Sequence, residues 1–253
     1  MASHPFYKLG KKAARHDART LLLARYIADV APPPAAIDWT PAAGAYGMMA
    51  NDRLGDCTIA AAGHLIQTWT GNASGSPVVL PDDDIVSAYS QIAGYNPADP
   101  ATDCGAVEID VLNAWRQNGL GAGGHKIAAF VAVNLRKPLE VQTAISLFGG
   151  IYAGALLPTN AQAQVGFVWD VLRNGDDAPG SWGGHAIPIV KYDPTGLWCV
   201  TWGKLQKMTQ AWFSEYVDEA YALVTPDWIE VNGRSPTGLD LATLTADLAE
   251  VSS

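Results

Sequence analysis

Cys57 and His185 are the residues whose types and surroundings can do chemistry. Cys57 follows Asn51, Asp52, Arg53, Leu54, Gly55 and Asp56 and opens the small-residue stretch Thr58 to His64. A Gly-Asp turn before such a stretch predicts a helix starting at or beside the cysteine, with Asp56 or Thr58 able to cap it. A thiol there feels the positive end of the helix dipole, which lowers its pKa and favours the thiolate. Far downstream, Gly183 and Gly184 lead His185 into the apolar run Ala186 to Val190. A helix-top cysteine and a strand-borne histidine are the two halves of a thiol nucleophile with its base.

The elements that must position them follow from the pattern. Helices are expected at 12–30, from Cys57 to about Trp69, from Ile85 to about Ala93, from Gly105 to Asn118, from Leu139 to Leu147 and from Ala211 to Ala220. Strands are expected at Ile127 to Leu135, Ile151 to Leu157, Phe167 to Val171 and Tyr221 to Val224. His185 to Tyr192 and Leu197 to Trp202 read as a hairpin joined by Asp193 to Gly196. Pro32, Pro33 and Pro34 break the first helix and mark a linker. Helices dominate the first half and strands the second, which predicts an α+β protein of two packed lobes with a cleft between them.

Composition narrows the classes. The 253 residues are 49% apolar and 16% charged, which describes a globular chain able to bury a large core. A net charge of −9 argues against broad nucleic-acid binding. The charge is uneven: residues 1–35 carry Lys8, Lys11, Lys12, Arg15, Arg19 and Arg25 against Asp17 and Asp29, a balance of +4 that leaves −13 on the rest. Such a basic arm can fold back on the acidic body, bind a protein partner, or be solvated. No secretory signal is visible. The uncharged stretch between Glu140 and Asp170 is too interrupted to span a membrane. Three scattered cysteines imply neither a disulfide framework nor a zinc site. A cytoplasmic protein with no metal and no cofactor is expected.

The residues resemble the papain-like cysteine peptidases, in a divergent form of bacterial or phage type. Asp38 and Trp39 are similar to the start of that family's mature domain. Asn51, twelve residues after Trp39 and six before Cys57, stands where the family has its oxyanion glutamine. Leu54 to Thr58 is similar to the nucleophile motif, Gly184 to Ala186 to the histidine strand, and Thr201 to Gly203 to a segment ending in Trp-Gly. Asp103 to Gly105 is similar to the mid-domain Cys-Gly segment. The resemblance covers about residues 36–228. It implies a helical N-terminal lobe and an antiparallel, β-barrel-like C-terminal lobe over 36–230, a basic propeptide-like or attachment arm at 1–35, and a tail at 231–253.

The resemblance also implies roles. Cys57 attacks the carbonyl, His185 relays protons, and Asn51 with the Cys57 N–H stabilises the oxyanion. The family's histidine-orienting asparagine is replaced by Val200, and counting forward from His185 points to Thr201 instead, if the hairpin shifts by one. Gly105-Ala106 replaces a Gly-Gly pair that lies along the substrate backbone. Leu54 replaces the cysteine that in the family bridges to the position resembling Cys104, so that disulfide is absent and a reducing compartment fits. Trp182 and Trp202 read equally as core or as cleft lids. His64 reads as structural or exposed, and Cys104, Cys199, His4, His16 and His125 as bystanders. The leading expectation is a thiol hydrolase cleaving peptide or isopeptide bonds through a Cys57–His185 dyad. The alternative is a papain-fold binding or structural module with weakened catalysis.

Overall fold

The centre of the first lobe is a helix that water does not reach. In the computed structural model, which describes residues 7–27, 30–229 and 235–237, α1 (Cys57–Ser74) is buried from Cys57 through Gly71. The side chains of Ala60, Ala61 and Ala62 are short enough for neighbours to approach on every face, as a helix buried all round requires. Two indoles tie it down: Trp69 donates to the Phe148 carbonyl at 2.8 Å and stacks on Trp115 at 5.7 Å. The helix stops at Gly75, whose φ of 74° is a left-handed cap. α2 (Asp82–Ala93) starts on three aspartates, which suit its positive end, and packs with α3 (Glu108–Asn118) against α1.

The second lobe is one open sheet. Its strands are β1 (Ile37–Asp38), β2 (Ala129–Ala132), β3 (Ile151–Leu157), β4 (Val168–Trp169), β5 (Gly183–Asp193), β6 (Gly196–Thr201), β7 (Lys204–Met208) and β8 (Val217–Val224). They lie in the order β2-β8-β3-β5-β6-β7-β4, with β1 on β5, and only the β4–β7 pairing is parallel. The α+β expectation holds, but the sheet does not close into a barrel: β2 and β4 are its two edges. α4 (Pro138–Phe148) and α5 (Gln210–Tyr216) complete the lobe. Its core is aromatic, with Trp169 stacked on Trp212 at 4.6 Å. Strand β3 pairs with both β5 and β8, and Ala155 opposite His185 sets the histidine's place on the sheet.

Two expectations are corrected, and one strand has no counterpart among them. Among the described residues, 12–30 is no helix beyond a single turn at Leu23–Arg25. Its backbone is used elsewhere: the Lys12 N–H donates to the Ala106 carbonyl, and the Leu21 carbonyl accepts from Ala132. Tertiary pairing overrides the local pattern there. The helix expected to reach Ala220 ends at Tyr216, because Val217 and Ala220 pair with Ala155 and Ala153 of β3. Strand β7 carries no alternating signal because its polarity is inverted, with Gln206 inside and Leu205 outside. Gln206 is satisfied there by the Gly166 N–H and the Phe167 and Lys207 carbonyls. The C-terminal tail lies outside the described residues apart from 235–237, as do residues 1–6, His4 among them.

Candidate active site

Cys57 is the first residue of α1, so its backbone N–H is one of the helix's unpaired leading donors. Its sulfur lies against β5, accepting from the Ala186 N–H at 3.4 Å. The thiol therefore touches the peptide unit that joins His185 to Ala186. The His185 ring is 1% exposed, stacked on Trp202 at 4.4 Å and 17°. Its Nε2 is 2.7 Å from Thr201 Oγ1, while its Nδ1 is buried with no hydrogen-bond partner. The β5–β6 ladder shifts register between Ile189 and Lys191. Trp202, which backs the ring, has a φ of 45°, strain of the kind that functional sites store. Val200 is buried in the core.

The approach to Cys57 is a strained turn. Met49 and Ala50 both have positive φ, 51° and 65°. Asn51 is buried behind them, and its Nδ2 donates to the Leu54 carbonyl at 3.0 Å. One of the two N–H groups of the amide expected to serve an oxyanion is thus engaged in its own turn. Asp56 makes no side-chain cap, correcting that expectation, and Thr58 Oγ1 has no hydrogen-bond partner. Asp56 is instead fully buried with neither oxygen in a hydrogen bond of normal geometry. Burial pushes its pKa up to about 8, helped by Asp103 and Asp82 and opposed by the neighbouring Asn51 amide. Nothing in a Gly-Asp turn signals this, since such turns usually face water.

A folded-state pKa above the unfolded value means that Asp56 contributes most below about pH 4. That contribution is lost as pH rises through about 8. Asp56→Asn removes the titration. The expected result is a melting temperature that falls less between pH 5 and pH 8, on the order of several degrees, than that of the unaltered chain. Parallel melting curves for the two proteins would show Asp56 to be ionised and solvated.

The arm lies in the cleft. Gly10 accepts from the Ala106 N–H at 2.8 Å, Lys12 donates to the Ala106 carbonyl at 2.9 Å, and Lys11 donates to the Gly184 carbonyl at 3.0 Å. Ala106, where a glycine pair was expected, still offers both its backbone groups. The Gly10 N–H lies near the Cys57 sulfur and acts to lower its pKa. The fit leaves no room for side chains: a Cβ on Gly10 would sit 1.7 Å from the Gly55 carbonyl oxygen, and one on Gly105 1.9 Å from the Gly10 oxygen. Gly55 cannot easily give way, because its N–H is held by Asp103, which also accepts from Tyr89 at 2.7 Å. Tyr7 and Trp182 pack on Trp202, and Trp202 donates to the Lys8 carbonyl at 3.1 Å.

Covered in this way, the pair is neutral. Burial pushes the Cys57 thiol up to about 12, against the Ala186 and Gly10 N–H groups that act to lower it. Burial likewise pulls His185 down to about 3, with His64 adding to it. The lowered thiol expected from the helix dipole is therefore absent in this closed arrangement; desolvation outweighs the dipole. His64 is buried and structural, its Nε2 2.9 Å from the Gly47 carbonyl oxygen. All three cysteines are free; Cys104 is exposed and Cys199 buried. His125 pairs with Asp227 at 2.9 Å. No group of His, Cys, Asp and Glu among the described residues could hold a metal ion.

No protein-family profile matches the chain, and no curated protein matches it by sequence. Solved structures do. Xylellain, a cysteine protease from Xylella fastidiosa, superposes with a TM-score of 0.66 at 17% identity, over 89% of this chain and 98% of that one. ProCathepsin B S9 from Trypanosoma congolense gives 0.57 at 10% identity, over 87% of each chain. The proform of Amb a 11, a ragweed pollen cysteine protease, gives 0.55 at 12%, over 79% of this chain and 69% of that one. With a helix-top cysteine facing a histidine strand across a cleft, this chain has the fold of the papain-like cysteine proteases.

Proposed function

We propose that the chain is a papain-like thiol hydrolase, cleaving peptide or isopeptide bonds with Cys57 and His185, and that residues 7–12 hold it latent. One observation carries the reading: an extended peptide, the arm, already lies across the Cys57 sulfur, hydrogen-bonded to both cleft walls through Ala106 and Gly184. A substrate strand in that groove places its carbonyl beside the thiol.

With the arm away, water and substrate reach the site and the desolvation that keeps both groups neutral is relieved. The Cys57 proton passes to His185, and the sulfur attacks the carbonyl carbon. The oxyanion is met by the Cys57 N–H; Asn51 adds a second donor by releasing Leu54. His185 returns the proton to the leaving amine, and water then hydrolyses the thioester. Thr201 holds His185 through Nε2, leaving Nδ1 for the proton. Three free thiols and the lack of any helix, among the described residues, long and apolar enough to cross a membrane support a reducing, cytoplasmic setting.

The test is cleavage of a reduced, unfolded protein by the full chain carrying Gly10→Val, which opens the cleft. New N-termini are expected, and none when Cys57→Ala is added. No new termini from the open chain, or equal yields from both, would overturn the reading.

A further inference from the structure

Beside the nucleophile the groove contains a second feature that the chemistry at Cys57 does not use. The Lys11 side chain is fully buried, with Nζ 2.9 Å from Asp218 and 2.9 Å from Glu219. Glu108, the first residue of α3, is also fully buried, and neither of its oxygens has a hydrogen-bond partner. Tyr221 donates to Glu219 at 2.9 Å and fixes that carboxylate. The floor is Gly154 of β3: a Cβ there would fall 1.9 Å from Lys11 Cε and 2.9 Å from Glu108 Oε1. Three acids from α3 and β8 thus converge on a slot shaped for an unbranched stem with a cationic tip.

We propose that this slot is a lysine-selective substrate pocket, and that the protein acts on peptides carrying an unmodified lysine at the residue that fills it. The proposal rests on the thiol-hydrolase reading, which supplies the reason for a peptide to enter the groove. Lys11 is then the arm's imitation of that residue. It follows Gly10, whose N–H lies near enough to the sulfur to act on its pKa, so the pocket lies one residue from the reacting position.

Glu108 and Glu219, like-signed and held out of water while Asp218 stands at the exposed rim, are costly unless a cation enters. Burial lowers the pKa of the Lys11 ammonium, but Glu108, Glu219 and Asp218 overcome it and the net shift is upward. Burial, with Glu219 beside it, holds Glu108 well above the usual carboxyl range. A leucine would strand the acids without a partner, and a glutamate would add to the repulsion. An acylated lysine loses the charge the pocket is built around.

The experiment uses the full chain with Gly10→Val and Lys11→Ala, so that the cleft opens and its own lysine no longer competes. Peptides of residues 7–15, with Lys or Leu at the position of Lys11, are titrated calorimetrically. The lysine peptide is expected to bind at least about tenfold tighter, as a buried charge pair does. Adding Asp218→Asn and Glu219→Gln should abolish that preference. Dipeptidyl vinyl sulfones bearing Lys or Leu at either residue before the electrophile should label Cys57 in the same order. Equal or tighter binding of the leucine peptide, or equally fast labelling by the leucine probe, overturns the pocket. A lysine peptide that binds preferentially while no probe labels Cys57 supports the pocket and overturns the thiol-hydrolase reading instead. Amine acylation of the unaltered chain checks the geometry independently of these variants: Lys11 should be modified far more slowly than exposed Lys8 and Lys12. Equal rates would overturn it.

Discussion

A full-length chain carrying Gly10→Val is expected to react at Cys57 about 10- to 100-fold faster than the unaltered chain. The reason is steric. The new Cβ would fall 1.7 Å from the Gly55 carbonyl oxygen, and both partners are backbone. Gly55 is anchored by Asp103, and on the other side the Gly10 carbonyl is hydrogen-bonded to Ala106. Overpacking of this kind costs about 1–3 kcal/mol, and each 1.4 kcal/mol shifts the balance between seated and displaced arm tenfold. Seating the arm and exposing the thiol are mutually exclusive, so the displaced fraction sets the rate. The pH profile should change as well. In the closed chain the thiol is pushed up to about 12, so reaction rises steadily with pH across the neutral range. In the opened chain relief of burial lets the thiolate form near neutrality, and the profile should level off.

In that opened background, His185→Ala is expected to lower peptide hydrolysis by about 10²–10⁴-fold, the span that a positioned general acid–base group contributes. The ring is held from two sides, by Trp202 at 4.4 Å and by Thr201 at 2.7 Å, and the Thr201 contact does not involve the arm. Its Nδ1 makes no hydrogen bond, and on the proposed mechanism it is the atom that exchanges a proton with the sulfur. Binding of a non-reacting peptide should be little changed, which separates loss of the base from collapse of the cleft. Hydrolysis within threefold of the opened parent, by steady-state assay, would remove His185 from the chemistry.

How much of this is legible in the sequence varies with the kind of interaction. Strand β3 at Ile151–Leu157 appears with the bounds its apolar run suggests, and the helix from Cys57 starts where the Gly-Asp turn places it. Both are local signals, read from periodicity and turn chemistry. The approach of the Cys57 sulfur to the backbone beside His185 needed only that a histidine-bearing strand meet a helix top. The arm was not legible. Leu21, Leu22, Arg25 and Tyr26 fall at helical spacing, but the Leu21 backbone pairs with Ala132, as Lys11 and Lys12 upstream pair with Gly184 and Ala106, contacts that leave no trace in side-chain pattern. Glu108 and Asp56 were hidden for a related reason. An acid at a helix start reads as a solvated cap, yet both are fully buried, because neighbours distant in sequence close over them. The arm's charge was the one usable hint: a basic segment on an acidic body, of which Lys11 turns out to be the inserted residue.

The central claim is that Cys57 is a nucleophile kept latent by the arm, and the chain contains its own reference thiol. Cys104 is exposed, whereas Cys57 is 1% exposed. The measurement is the ratio of alkylation rates at Cys57 and Cys104 by limiting iodoacetamide at neutral pH, read by peptide mass spectrometry. The account predicts that Cys104 is modified first in the unaltered chain and that Cys57 overtakes it in the Gly10→Val chain. If Cys57 stays slower than Cys104 with the arm displaced, the thiol is a buried structural residue and the account is wrong.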